Sequence, residues 1–370
     1  MSTSLETIIS AFQTLTDAAL ATRTGGWQFK VKNYRRVIQI LGAAGEVPQS
    51  IDHALRLLRA GGMKLTSERE GGPYKSQILL KIGELIETGR LGAVERLEQR
   101  PELTATRELL RVPGIGPAKA KTLIAQGIDS LTALEAAVKS SAETGERGPL
   151  NDHQLIGFRH YRDLEQRIPR EEMEEWVSYL QFVIEQIVED TGIGVHAAEV
   201  VGSYRRGAAD SGDIDFHLCL EEGQEGDGGY LIGQLRDYLV GDGALKEQDI
   251  WSNGSHKLMG VVRQAEDATA RHLDVWVFTQ AQYPFALLYA TGSANFNIEM
   301  RNYALQQGWS LSDKGLCLGD PKGRGPTEAE CRERIGSPQI RSERDIFRFL
   351  GMQWVEPCDR AAGRVLAVAS

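Results

Sequence analysis

Gly202-Ser203-Tyr204-Arg205-Arg206-Gly207-Ala208-Ala209-Asp210-Ser211-Gly212-Asp213-Ile214-Asp215 joins a small-residue turn, two arginines and two closely spaced carboxylates in one loop-and-strand unit. Strand side chains alternate faces, so Asp213 and Asp215 are predicted to project to one side while Ile214 and Phe216 point into a core. Two carboxylates on one face suit a hard divalent cation. Upstream, Gly202 and Ser203 can bring backbone N–H groups and a hydroxyl close to phosphate oxygens, and Arg205 and Arg206 supply charge. A lone Asp-X-Asp is usually a surface feature and an Arg-Arg pair a solvated face. Together in this order they point to nucleotidyl transfer.

A chain of 370 residues is long enough for two to four compact domains. Its 41% hydrophobic and 25% charged residues are those of an ordinary soluble protein. No apolar run approaches the ~20 residues of a membrane span, and the N-terminus carries no basic-then-apolar leader. Cys219, Cys317, Cys331 and Cys358 lie far apart without a C-x-x-C, which predicts neither zinc site nor disulfide framework and fits a reducing compartment. An intracellular location is expected, nuclear in a eukaryote and otherwise cytoplasmic or viral. The net charge of −9 hides an uneven distribution. Residues 1–100 hold 14 Lys/Arg against 10 Asp/Glu, with a basic run at Lys30-Val31-Lys32-Asn33-Tyr34-Arg35-Arg36. Nucleic-acid contact is therefore expected to be local.

The first hundred residues read as amphipathic helices. Ile8, Phe12 and Leu15 form one stripe, Val37, Ile40 and Leu41 another, and Ile78, Ile82, Leu85 and Ile86 a third, with a stop at Thr88-Gly89. Ile168-Pro169-Arg170 opens a longer helix through about Glu189. From Glu199 the period turns towards two, predicting strands at Glu199–Val201, Asp213–Leu220, Leu258–Val262 and His272–Phe278. Gly223–Gly229 reads as a surface loop. Helices first, then strands mixed with helices, predict α+β domains in series.

Three further motifs carry chemistry. In His272-Leu273-Asp274-Val275-Trp276-Val277 the apolar residues face inward and leave Asp274 opposite, a candidate third carboxylate. Tyr289-Ala290-Thr291-Gly292-Ser293-Ala294-Asn295-Phe296-Asn297 is a turn before a helix capped near Ser293. Leu110-Arg111-Val112-Pro113-Gly114-Ile115-Gly116-Pro117 has the two glycines of a helix-hairpin-helix turn, whose N–H groups can meet a DNA phosphate without reading sequence.

The opening stretch, Asp274, the Thr-Gly-Ser-X-X-Phe-Asn segment and the hairpin together resemble family X DNA polymerases, the group of polymerases beta and lambda, from about Leu5 to Arg360. The resemblance implies a helical lyase-like domain (1–98), a helix-hairpin-helix fingers-type subdomain (99–157), a nucleotidyltransferase palm with a mixed or antiparallel sheet (158–280) and an α+β nucleotide- and template-binding subdomain (281–370). It implies a template-directed polymerase filling short gaps in DNA repair, monomeric, acting on gapped or primed duplex DNA and dNTPs. Asp213, Asp215 and Asp274 would ligate two Mg2+ or Mn2+ ions. Ser203, Arg206, Ser211 and Gly212 would hold the triphosphate. Tyr289 and Gly292 would lie against the sugar, Asn297 against the base edge and Arg301 against the template. Gly114, Ile115, Gly116 and Lys257 would contact DNA, with Na+ or K+ on the carbonyls of Leu110, Val112 and Ile115. Lys81 would be the Schiff-base lysine of a 5′-deoxyribose phosphate lyase, supported by Lys30 and Tyr34.

Several positions depart from the family pattern. Leu155 stands where relatives often have a triphosphate-binding arginine, which shifts weight to Arg206, and Trp276 and His272 replace arginines beside Asp274. Ala290 replaces an aromatic residue, implying looser sugar discrimination. Gln77 replaces a phosphate-binding lysine, and Glu70-Gly71-Gly72-Pro73-Tyr74-Lys75 is a poor copy of a first hairpin. The short connection from Gln248 to Lys257 favours template dependence. A template-independent or RNA-tailing nucleotidyltransferase, or a DNA-binding scaffold with a decayed site, are the alternatives. No phosphopeptide-binding module is expected ahead of the helical unit and no phosphoesterase after Arg360.

Overall fold

The computed structural model describes residues 3–22, 25–63, 65, 76–318 and 340–362. The degraded hairpin at Glu70–Lys75 and Cys331 lie outside the described residues. The chain divides into two compact units, Met1–Gly157 and Phe158–Ser370.

In the first unit α1 (Leu5–Thr22), α2 (Trp27–Ala44), α3 (Ile51–Ala60), α4 (Gln77–Thr88) and α5 (Gly92–Glu98) build one helical core. Ile8, Phe12, Leu15, Val37, Leu41, Leu58, Ile82 and Leu85 fill it, the three predicted stripes converging. Ser50 caps α3 by accepting from the His53 N–H, and Gly89 ends α4 at φ 70. Then α6 (Pro101–Leu109) and α7 (Pro117–Ala125) flank the Val112–Gly116 turn, followed by α8 (Leu131–Thr144) and α9 (Asp152–Leu164). Leu109, Val112, Ile115, Ala120 and Leu123 are buried between them. Gly114 adopts φ 86, a backbone conformation that favours glycine, and a Cβ on Gly157 of α9 would lie 2.1 Å from the Pro113 carbonyl oxygen, so packing requires glycine there.

The second unit begins with β1 (Ile168–Pro169) and α10 (Arg170–Thr191). There follow β2 (Val195–Val200), α11 (Gly202–Arg205), β3 (Asp210–Ser211), β4 (Ile214–Leu220), α12 (Gly228–Gly241), β5 (Leu245–Asn253), β6 (Lys257–Val262) and β7 (Arg271–Phe278). A five-stranded sheet runs β2-β4-β7-β6-β5, antiparallel except for the parallel β4–β7 pair. Ile214, Phe216, Leu218, Leu273, Val275 and Val277 face a core completed by Trp176, Leu180 and Val183 of α10 and Leu231, Leu235 and Leu239 of α12. The opposite face carries Asp215 and Asp274. After the sheet come α13 (Tyr283–Thr291), α14 (Ala294–Gln306), the β8 (Trp309–Leu311) and β9 (Leu316–Leu318) hairpin, α15 (Glu343–Phe349) and a 3-10 helix at Pro357–Ala362.

Several boundaries differ from the periodicity reading: the strand expected at Glu199–Val201 is β2, Val195–Val200, and Ile168-Pro169 forms β1 ahead of the helix instead of opening it. Asp213 lies in a bend just before β4, because the turn at Gly212 is not complete until Ile214 enters the sheet. Gly228 and Gly229 belong to α12, drawn into it by the burial of Leu231 and Ile232. Residues 248–253 are strand, so the connection to β6 is a tight turn at 254–256. Exposed and half-exposed residues along this edge strand, with only Leu245 and Asp249 buried, hide β5 from a search for alternation.

Candidate active site

The parallel register of β4 and β7 pairs Asp215 with Asp274 directly, and both carboxylates leave the sheet on the face opposite its core. Asp213 stands beyond the strand end, more exposed than Asp215. Gly202 opens the preceding turn at φ 63, and a Cβ there would meet Asp215 Oδ2 at 2.6 Å. Only glycine lets this backbone pass so close to the carboxylate. The turn is tied back by the Val201 N–H donating to the Asp215 carbonyl at 2.8 Å and by Ser203 Oγ and Ser211 Oγ at 2.9 Å.

Both arginines turn towards the end of α13. Arg206 Nη1 donates to the Thr291 carbonyl at 2.6 Å, and Arg205 Nη1 to the Thr291 hydroxyl at 2.6 Å. Arg205 Nη2 also donates to Glu343 Oε2 at 2.7 Å, whose Oε1 accepts from the fully buried Arg360 at 2.6 Å. The Arg360 guanidinium lies against the rings of Phe296, Phe347 and Trp354. Arg205, read as a source of charge for phosphate, is thus committed to a buried ion network, whereas Arg206 faces Asp215.

A cleft of about 630 Å³ brings Arg206, Asp215 and Asp274 together with Tyr289, Gly292, Asn297 and Arg301. Ser293 caps α14 as expected, its hydroxyl accepting from the Phe296 N–H and donating to the Arg360 carbonyl. Asn297 Nδ2 donates to the Tyr289 carbonyl at 2.7 Å, and the Arg301 guanidinium stacks 4.9 Å from the half-exposed Tyr289 ring. The walls are apolar at Trp276, Phe278, Ala286, Ala290 and Ile298. Lys257, opposite Trp276 in the β6–β7 register, holds its ammonium 4.4 Å from that indole.

Burial pushes the Asp215 carboxyl up to about 7, reinforced by Asp213 and Asp274 and opposed by Arg206. Asp274 is raised too, chiefly by burial, against the pull of Lys257 and His272. Burial pushes His217 down to about 4 and lowers His272, the latter against the opposing pull of Asp274 and Asp213. Among the described residues no three His, Cys, Asp or Glu side chains are drawn into a coordination cluster. The donor set nevertheless fits a hard divalent cation: its oxygens repel one another, and Asp274 Oδ1 is buried with no hydrogen-bond partner.

In the first unit Lys81 is half-buried on α4, its Nζ 3.3 Å from the Gln77 carbonyl. Burial lowers its pKa, Glu84 opposes, and Lys30 lowers it further, so Lys30 and Lys81 are close enough to interact. Tyr34 stacks edge-on against Phe12 with centroids 5.6 Å apart. At the hairpin the Val112 carbonyl accepts from the Ile115 N–H at 3.0 Å, while Gln154 Nε2 donates to the Gly114 carbonyl at 3.2 Å.

Thr291, though part of a quoted motif, was given no partner in the sequence reading, and Glu343 and Arg360 escaped it, since single polar residues far apart in sequence give no periodic signal. Arg167 did too: its guanidinium binds Asp210 at 2.7 Å and lies 2.9 Å from where a Gly212 Cβ would be. Asp313 and Lys314, in the β8–β9 turn, also line the cleft.

Comparison with known proteins matches this arrangement segment by segment. The family model for the fingers domain of DNA polymerase lambda matches residues 107–165, that for the DNA polymerase beta palm residues 167–280, and that for the DNA polymerase beta thumb residues 286–361. DNA polymerase lambda of Arabidopsis thaliana is 28% identical over 287 residues, covering 75% of this chain and 50% of the relative. DNA polymerase lambda of Rattus norvegicus is 30% identical over 291 residues, covering 76% and 46%. The chain thus spans about half the length of these curated relatives. With fingers, palm and thumb matched in order and the paired aspartates at the head of the cleft, the chain belongs to the family of DNA polymerases beta and lambda.

Proposed function

We propose that the chain is a template-directed DNA polymerase that adds deoxynucleotides to a primer 3′-hydroxyl, filling short gaps in DNA repair. Membership of the family implies a divalent-metal requirement, DNA as substrate and dNTP binding. The observation that carries the reading is the register pair Asp215–Asp274 opening onto a cleft shared with Arg206, Tyr289 and Asn297.

Asp213, Asp215 and Asp274 would hold two Mg2+ or Mn2+ ions. Such ions, when bound, neutralise the carboxylates and stabilise the attacking and leaving oxygens of an in-line displacement. Asp274, at the end of the cleft wall formed by β7, would take the proton from the primer hydroxyl. Ser203, Ser211, Gly212 and Arg206 would orient the triphosphate through hydroxyl, backbone N–H and guanidinium donors. Tyr289 and the Gly292 turn would pack against the sugar, Asn297 would meet the base edge and Arg301 the template. Gly114, Ile115 and Gly116 would hold a primer phosphate, with Na+ or K+ on the carbonyls of Leu110, Val112 and Ile115, and Lys257 would meet the duplex. The tight turn at 254–256 leaves little chain to displace a template. Lys81, with its lowered pKa, would attack C1′ of an abasic sugar as a neutral amine, with Lys30 and Tyr34 at the 5′-phosphate.

A single-nucleotide gap carrying a 5′-abasic phosphate, with borohydride trapping, tests both activities in one tube. One-nucleotide extension directed by the template base is expected, together with a trapped adduct lost in Lys81→Ala. Asp213→Ala should abolish extension and spare DNA binding. Extension by Asp213→Ala at the wild-type rate would overturn the assignment.

A further inference from the structure

The carboxylate of Glu199, on β2, belongs to none of the motifs above, yet it touches two elements that shape the cleft. Tyr283, in the first turn of α13, is buried and donates its hydroxyl to Glu199 Oε1 at 2.9 Å. Glu199 Oε2 lies 3.8 Å from Arg205 Nε. Arg205 in turn holds the Thr291 hydroxyl at the last turn of the same helix, beside the Thr291 carbonyl that anchors Arg206. Helix α13 is therefore fastened at its start by Glu199 and at its end by the two arginines, and it carries Tyr289 and Ala290 on the cleft wall. The two contacts of Glu199 are unequal. The ion pair with Arg205 is long and its carboxylate 42% exposed, so solvent screens most of it. The Tyr283 bond is short, has a charged acceptor and is sheltered at the donor end.

We propose that Glu199 is a positioning residue which, through Tyr283, sets the tilt of α13 and thereby the placement of Tyr289 and Gly292 for the incoming nucleotide. The inference rests on the polymerase reading for its consequence, but the fastening of α13 can be measured without catalysis. Hydrogen–deuterium exchange of the intact protein should show faster exchange at residues 283–291 in Glu199→Ala and in Tyr283→Phe, with α10 unchanged. In primer extension both variants should raise KM for dNTP about five- to tenfold, leave kcat within about twofold and leave DNA affinity unchanged. Glu199→Gln keeps an oxygen for the Tyr283 hydroxyl and should restore KM to within about twofold of wild type. The double variant should be no worse than either single one, because both remove the same bond. Unchanged exchange at 283–291, additive losses, or a Glu199→Gln as impaired as Glu199→Ala would overturn the proposal. A wild-type protein that fails to extend any primer would instead overturn the polymerase reading, while the exchange data would still decide the fastening.

Discussion

Substituting Gly202 by alanine separates backbone strain from damage to the carboxylate site. Gly202 sits at φ 63, where an L-residue pays roughly 1–2 kcal/mol, partly offset by about 0.4–1 kcal/mol from a stiffer unfolded chain. Gly207, five residues on in the same loop, sits at φ 77 and pays the same strain, but a Cβ there meets nothing within 4 Å. At Gly202 the new methyl would stand 2.6 Å from Asp215 Oδ2, where ordinary contact begins near 3.4 Å. The carboxylate must retreat by about 0.8 Å, and displacements of this size cost reactions on the order of a hundredfold. Both variants should lose about 1 kcal/mol in urea denaturation. Single-turnover gap filling should fall about 30- to 100-fold in Gly202→Ala and less than about threefold in Gly207→Ala. Equal rate losses in the two variants would refute the argument that contact with Asp215, rather than loop strain, fixes this glycine.

Three other outcomes follow from the same geometry. The Asp215 carboxyl holds its proton more tightly folded, at about 7, than unfolded, at 3.8. Its stabilising contribution is complete below about pH 4 and is lost as pH rises through about 7. Thermal melts of metal-free protein between about pH 5 and 7.5 should therefore show a falling contribution that Asp215→Asn removes, and an identical pH slope in that variant would contradict it. Arg360→Met strips one partner from the buried Glu343 and should cost about 3–5 kcal/mol by denaturant titration, whereas exposed Arg344→Met, whose partner Glu356 is also exposed, should cost under about 1 kcal/mol. With Ala290 on the cleft wall, ribo- and deoxynucleotides should be incorporated with comparable efficiency. A preference for deoxynucleotides above about a thousandfold, worth about 4 kcal/mol, would show that the small side chain leaves sugar selection intact.

The helical stripes, the alternating strands and the glycine turns were legible because each is a short-range pattern. Ile8, Phe12 and Leu15 share a face by helical spacing alone, and Leu273, Val275 and Val277 by strand spacing. The edge strand β5 was not legible, since only Leu245 and Asp249 are buried in it and its sequence lacks alternation. Asp213 was assigned to the strand one residue early, because the position at which a turn hands over to a ladder depends on its pairing partner. Asp213, Asp215 and Asp274 could be picked out by type and spacing, as could Arg206, Tyr289 and Asn297 by motif.

The chain's own order of residues therefore determined which side chains were available for chemistry and which faces they would take. Tertiary structure decided which of them meet. Asp215 and Asp274 lie 59 positions apart, and only the parallel β4–β7 register sets them side by side. The rise of the Asp215 carboxyl to about 7 depends on burial and on charges brought near by that register, neither of which is local in sequence. Likewise Arg205 and Arg206 are adjacent and chemically identical, yet one is spent on Glu343 and the other faces the carboxylates. That difference arises because α13 and α15 pack against one side of a turn whose other side is held to Asp215.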